Sequence, residues 1–188
     1  MTRREQIFQT SIKLMKNKGY VGTSMRDIAS GMSIQAASLY NHIKGKEDIL
    51  TDNCFELANQ FIDSLNSILK SDEKPLDKLH TFISNHVNIL VGNMDAAHVF
   101  LYEWKHLSEP HYSKFLSMRD EYERGLRKIL KDDESHNNFE NSSYKMVVIS
   151  VLSSLNAIEQ WYKPDGEIKV EELCNILSQI LINGIKEL

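Results

Sequence analysis

Three groups of residues in this 188-residue chain have types and spacings that could do chemistry. The first is Glu103-x-x-His106, the spacing at which a helix offers one carboxylate and one imidazole to a metal, as helical di-iron sites do. Such a site needs a second Glu-x-x-His pair and two more inward glutamates. No second pair occurs, so the motif alone does not make a helical metal-dependent enzyme. The second group is Cys54 and Cys174, which lack the paired spacing of a zinc site or a redox motif and read as reduced core thiols. No Gly-rich phosphate loop or nucleophile elbow is present, so no catalytic residue, metal or cofactor is expected. The third group is the basic residues near the start. From Met1 to Lys46, eight of them (Arg3, Arg4, Lys13, Lys16, Lys18, Arg26, Lys44 and Lys46) face only Glu5 and Asp27, a surplus of +6. The other 142 residues hold 14 basic and 24 acidic side chains and carry −10. Phosphate neutralisation needs positive charge only where a duplex touches, so this asymmetry suits a small DNA-reading head on an acidic body.

The elements that must position these residues are helices. Apolar residues recur at three- and four-residue intervals, with three prolines and eight glycines as interruptions, and no strand pattern is found. A first helix is predicted over 3–18, with Phe8, Ile12 and Met15 on one face and a stop at Gly19. Ser24 and Asp27 have capping-box spacing and start a short helix through Ile28 and Ala29. Met32-Ser33-Ile34 make a turn, and a second short helix is predicted over 35–42. After Lys44-Gly45-Lys46, a long helix is expected over 47–69, then others over 76–91, 96–107, 111–130, 143–162 and 170–188. The polar stretch 132–138 reads as a mobile loop. No apolar run approaches the roughly 20 residues of a membrane span, and the N-terminus lacks the apolar core of a signal peptide. A cytoplasmic protein without membrane contact is expected.

Short helices followed by a long one fit a packed bundle or a helix-turn-helix equally well by spacing alone. The strings Thr23-Ser24-Met25-Arg26-Asp27-Ile28-Ala29 and Ser38-Leu39-Tyr40-Asn41-His42-Ile43-Lys44-Gly45-Lys46-Glu47-Asp48-Ile49-Leu50 closely resemble the TetR family of bacterial transcriptional regulators. The resemblance covers about the first 50 residues. It implies an all-α protein with an N-terminal three-helix helix-turn-helix domain, residues 1–46, and a larger C-terminal helical domain for ligand binding and dimerisation, residues 47–188. Two departures stand out. Met32-Ser33-Ile34-Gln35 replaces the family's common Ala-Gly-Val-Ser turn, and Ile43 replaces the usual Phe after His. In the recognition helix, small Ala36, Ala37 and Ser38 would let the backbone approach the major-groove floor. The alanines would touch thymine methyls, with Gln35 or Ser38 bonding base edges. The resemblance gives Tyr40 a phosphate contact together with Thr23, Ser24, Lys44 and Lys46, with Asn41 and His42 beside it, and Arg26 would reach a guanine or a phosphate.

In the body, Leu173, Ile176, Leu177, Ile180 and Leu181 form a wide apolar stripe, preceded by Val147, Val151 and a face of small residues, Ser150, Ser154 and Ala157. By the family resemblance these two segments form the homodimer interface; burial within one subunit is the alternative. Phe82, His86, His98, Phe100, Tyr102, Trp104, Met118, Tyr122 and Trp161 fit either a ligand cavity or plain core. Trp161-Tyr162-Lys163-Pro164-Asp165-Gly166 resembles a segment of TetR-family members that respond to acyl-CoA thioesters. The combined expectation is a dimeric repressor of double-stranded operator DNA, released by a small apolar effector such as an acyl-CoA. A helical metal-dependent enzyme and a protein-interaction module are the alternatives.

Overall fold

The computed structural model describes residues 1–132 and 141–186. Residues 133–138 of the predicted mobile loop lie outside the described residues. Every regular element among the described residues is a helix: α1 (Arg3–Gly22), α2 (Met25–Gly31), α3 (Ala36–Leu39), α4 (Lys46–Lys70), α5 (Pro75–Gly92), α6 (Met94–Tyr102), a 3-10 turn (Trp104–His106), α7 (His111–Lys131), α8 (Asn141–Asn156), α9 (Ile158–Trp161) and α10 (Val170–Lys186). They belong to two compact units. One comprises residues 1–57 and 93–116, the other residues 58–92 and the described residues from 117 onward.

In the first unit, α1 begins at a reciprocal cap: the Thr2 hydroxyl accepts the Glu5 N–H at 3.2 Å, and the Glu5 carboxylate accepts the Thr2 N–H at 2.9 Å. The buried face of α1 is Ile7, Ser11, Ile12 and Met15, while Phe8, expected inside, is half-buried. Gly19 does not end the helix cleanly. It sits at φ +74°, open to glycine at low cost, and one more turn continues to Gly22. Helix α6 runs along α1, and Lys16 pairs with Asp95 at 2.7 Å. Asn53 Nδ2 donates to the Ala96 carbonyl at 3.1 Å, tying α4 to α6. The predicted helix over 96–107 ends at Tyr102 and tightens into the 3-10 turn.

The second unit has one apolar core, in which α4 and α5 contribute Leu65, Ile68, Phe82, Ile83 and Val87, α7 contributes Leu126 and Ile129, and α8 and α10 contribute Val148, Leu155 and Leu173. Pro75 opens α5, where its missing N–H leaves no helical bond unmade. At Gly125 a Cβ would overlap the Leu65 side chain, so the absence of a side chain is what lets α7 lie this close to α4. The predicted helix over 143–162 is two helices, α8 and α9, broken at Ala157. Cys54 and Cys174 are buried free thiols, and burial pushes Cys54 up to about 12, which leaves it protonated and inert.

The turn between α2 and α3 shows what replacing the family's turn Gly and cap Ser by Ser33 and Gln35 does. Ser33 adopts φ +55° at the glycine position, and Gln35 stands at the N-cap of α3 without a side-chain cap bond. The recognition helix spans only four residues, Ala36–Leu39, and Tyr40, Asn41 and His42 follow it as a turn rather than as helix. A left-handed L-residue costs about 1 kcal/mol and a missing Ser or Asp cap about as much. Ser33→Gly should raise stability by up to about 1 kcal/mol, after the entropy of glycine is discounted. Gln35→Asp should add a similar amount through a new cap. Urea melts of both variants read these gains, and a loss of stability in Ser33→Gly would contradict the left-handed turn.

Candidate nucleic-acid interface

The structure brings most of the expected DNA-reading residues onto one exposed region of the first unit. Ser24, Arg26, Gln35, Ala37, Ser38, Asn41, His42 and Lys44 are exposed, Ala36 is half-buried, and Tyr40 is 58% exposed, high for an aromatic ring. What fixes them is the opposite face: Ile28, Ala29, Leu39 and Ile43 are buried, so the short helices are anchored by apolar side chains and present their polar ones. Tyr40, Asn41, His42 and Lys44 line an open cleft of about 550 Å³ together with Arg4 and His111. The cleft's acids are already engaged: Asp52 pairs with Arg4 at 2.7 Å, Asp48 accepts the Lys44 N–H at 2.8 Å and Glu47 accepts the Ser108 N–H at 3.1 Å. Arg4 was not among the residues singled out as reading DNA; its place in the basic N-terminal run was the available signal.

Two of the expected phosphate holders are used differently. Thr23 is buried, and its hydroxyl donates to the Gly19 carbonyl at 2.8 Å. The Lys46 ammonium donates to the carbonyls of Tyr20 at 2.7 Å and Thr23 at 3.0 Å, and lies 4.2 Å from the centre of the Tyr20 ring. Both side chains therefore brace the link between α1 and α2, where unpaired carbonyls at a helix end need donors. Ser24 combines two tasks: it is exposed, and it forms a reciprocal cap with Asp27 at the start of α2. Bonds from the Ser24 hydroxyl, from Lys18 and from the Ser24 N–H hold the Asp27 carboxyl well below the usual range.

The nine aromatic, histidine and methionine candidates divide between the units. His98, Phe100, Tyr102 and Trp104 lie in the first, where Phe100 and Trp104 both pack on Phe115, at 5.4 and 5.9 Å between centroids. Phe82, His86, Met118, Tyr122 and Trp161 lie in the second. There the structure joins Phe82, His86 and Tyr122 with Phe61, whose ring is 4.8 Å from His86 and 5.2 Å from Tyr122. Nδ1 of His86 is 3.2 Å from the Tyr122 hydroxyl, and Nε2 is 3.2 Å from Asn156 Oδ1. Burial outweighs the bond to Asn156 and pulls the imidazole down to about 4. Phe61 and Asn156 were not anticipated; Phe61 falls on the same helical stripe as Leu57 and Leu65, which was the visible signal. Trp161 is half exposed, and Met118 is half-buried.

The expected dimer residues also separate. Val147, Val151 and Leu173 are buried in the core of their own unit, and Leu177 and Leu181 pack against it. Ser150, Ser154, Ile176 and Ile180 are exposed, with Ala157 half-buried. Met146 and Ile149 join them as exposed apolar residues of α8, and Ile180 is 62% exposed. Among the described residues no group of three or more His, Cys, Asp or Glu is placed to hold a metal ion, and no helix is long and apolar enough to cross a membrane.

A helix-turn-helix with an exposed polar reading face, joined to a longer helical body, defines a class of DNA-binding regulators. Two family models match the chain: bacterial regulatory proteins, tetR family, over residues 7–52, and tetracyclin repressor-like, C-terminal domain, over residues 72–185. The chain is 23% identical to the HTH-type transcriptional repressor KstR2 of Mycolicibacterium smegmatis over 99% of its own length and 92% of that protein. It is also 23% identical to the fatty acid metabolism regulator protein of Bacillus subtilis, over 96% and 94% of the two chains. The structure of AibR in complex with isovaleryl coenzyme A and operator DNA superposes with a TM-score of 0.78 at 22% identity, over 95% of this chain and 97% of that one. The chain belongs to the TetR family of bacterial transcriptional regulators, a family of helix-turn-helix DNA-binding regulators and not of enzymes.

The buried His86 gives the second unit a defined acid sensitivity. The unfolded chain takes up a proton near pH 6.5 that the folded imidazole refuses until about pH 4. Its contribution is therefore complete above pH 6.5 and is lost as pH falls toward 4, to an extent of up to about 3 kcal/mol. His86→Gln should flatten the fall in urea midpoint between pH 6.5 and pH 4.5 relative to wild type. Parallel pH profiles of the two proteins would show that His86 is not a source of the acid sensitivity.

Proposed function

We propose that this regulator is a cytoplasmic homodimeric repressor whose residues 1–46 read operator DNA, and that a largely apolar small molecule, with acyl-CoA thioesters first in line, releases it. The observation that carries the DNA reading is the exposed set on α2, α3 and the following turn over a buried Ile28, Leu39 and Ile43. Gln35, Ala36, Ala37 and Ser38 meet base edges. Ser24, Arg26, Tyr40, Asn41, His42 and Lys44 hold the backbone, and Thr23 and Lys46 keep α2 in place from behind. Repression follows the naming of KstR2 as a transcriptional repressor.

The dimer reading rests on the outer strip of α8 and α10. On α8, Met146 and Ile149 expose apolar surface along with small Ser150 and Ser154, and on α10 Ile176 and Ile180 expose apolar surface, of the kind that close helix packing covers. A second copy, placed isologously, gives two reading heads a fixed separation of about one DNA turn, roughly 34 Å. The acyl-CoA reading rests on the Trp161 to Gly166 string, on isovaleryl coenzyme A in the AibR complex, and on the role in fatty acid metabolism stated in the name of the Bacillus relative. Phe82, His86 and Tyr122, with Phe61 against them, supply apolar surroundings within the second unit. Moving the protein from mostly bound to mostly released requires a preference of about 5.5 kcal/mol for the released state. Enclosing an acyl chain supplies about 0.8 kcal/mol per methylene if only that state encloses it. The net −10 beyond residue 46 opposes the CoA phosphates, so a lysine of the same unit, such as Lys163, must receive them.

Tyr40→Ala should weaken operator and non-operator DNA alike, and Lys44→Ala should make the salt dependence shallower by up to about one phosphate's worth. Quantitative gel shifts at several salt concentrations read both, and wild-type behaviour in both folded variants would remove the reading surface from this region. Ile180→Glu should convert the dimer to monomer and lower operator affinity, which sedimentation and gel shift detect together. A monomeric wild type at micromolar concentration ends the dimer proposal. Titration calorimetry with acyl-CoA thioesters of several chain lengths should show binding that grows with chain length and weakens as operator is added. Absence of binding, or an operator complex that survives it, ends the acyl-CoA proposal.

A further inference from the structure

The Glu103-x-x-His106 pair faces the break in α1. Gly19 is non-helical, so Tyr20 starts a new turn whose first N–H lies outside the hydrogen-bond ladder of the helix before it. Oε2 of Glu103 accepts that N–H at 3.0 Å and stands 3.5 Å from Nε2 of His106. The His106 ring lies against the Tyr20 ring, with 5.3 Å between centroids and 17° between planes. On the carbonyl side, Lys46 donates to Tyr20 at 2.7 Å. Tyr20 is thus held at its N–H, its carbonyl and its ring by three residues from outside α1. Three residues later Thr23 closes α1, and Ser24 caps α2, from which the reading face begins.

We propose that Glu103 is a positioning residue for operator reading: its carboxylate fixes the Tyr20 amide at the Gly19 break and so sets where α2 starts, with His106 steadying the Tyr20 ring. Glu103 touches no DNA in this account and acts through Tyr20. The inference rests on the reading of α2 and α3 as the DNA surface, but the tether itself is observable without DNA. The charge effect and the positioning effect have opposite signs. Removing an acidic side chain from a DNA-binding unit should, by electrostatics alone, tighten binding. Loss of the tether should loosen it.

The experiment compares the full-length wild type with Glu103→Ala and Glu103→Gln, which lose the same charge; only the glutamine keeps an acceptor for the Tyr20 N–H. Glu103→Ala is expected to bind operator about tenfold more weakly, in keeping with loss of a charge-assisted bond, and with an unchanged salt slope. Glu103→Gln should bind at least as well as wild type. Hydrogen exchange should quicken over residues 20–25 in Glu103→Ala alone, while the protection of α8 and α10 is kept. Equal operator affinity for the alanine and glutamine variants, or unchanged exchange over residues 20–25 in Glu103→Ala, overturns the proposal. If Glu103→Ala does not fold, Glu103→Asp, one methylene too short to reach the amide, takes its place with the same expected loss. Failure of the wild type to bind operator, with the exchange pattern as expected, would count against the DNA reading while leaving the tether standing.

Discussion

Two helices of seven and four residues must hold a reading face steady, although isolated helices shorter than about 12 residues are marginal in water. Neither α2 nor α3 can supply its own stability, so each borrows it from fixed neighbours. The apolar part of that support is Ile28, Leu39 and Ile43, fully or almost fully buried. The polar part is the brace at the end of α1, where Thr23 and Glu103 bond main-chain groups beside the Gly19 break and Lys46 adds a second donor to the Tyr20 carbonyl, which also accepts the Thr23 N–H at 3.3 Å. With that brace in place, the left-handed Ser33 and the uncapped Gln35 become tolerable, because tertiary contacts over-determine the turn they weaken.

The same brace changes how charge should be counted. The surplus of +6 up to Lys46 marks the reading head, but not every cation in it is available to phosphate. Lys46 bonds carbonyls, Lys16 pairs with Asp95, Lys18 with Asp27 and Arg4 with Asp52. Arg26 and Lys44 are exposed on or beside the short helices. Surface pairs such as Arg4 with Asp52 are worth little and exchange readily for a phosphate. A cation bonded to two main-chain carbonyls, as Lys46 is, gives up more when it leaves.

Much of this was legible in the residues. Periodicity and capping signals placed α1, α2, α4, α5, α7 and α10 within a few residues, since amphipathic faces and Ser24-Asp27 spacing are local properties. The helix over 35–42 was read too long because nothing local says that Tyr40, Asn41 and His42 turn instead. The roles of Thr23 and Lys46 were beyond sequence for a similar reason: a hydroxyl or an ammonium can face DNA or a carbonyl, and only the folded chain decides which. Glu103 shows the converse. Its spacing to His106 was visible, but the partner that gives it a task is more than eighty residues away in the chain.

The apolar stripes of α8 and α10 show the limit of periodicity most clearly. A stripe broad enough to include Leu173, Leu177, Leu181, Ile176 and Ile180 covers more of the helix circumference than one packing partner can bury. Sequence spacing cannot divide it, because both halves obey the same three- and four-residue steps. The folded chain divides it by exposure: Leu173 goes into the core with Val147 and Val151, and Ile176 and Ile180 remain outside with Met146 and Ile149. On α8 the exposed apolar residues are accompanied by Ser150 and Ser154, whose small side chains keep that helix face open to close approach. Since the inner half already satisfies the fold, a second copy would have only the outer half to recognise.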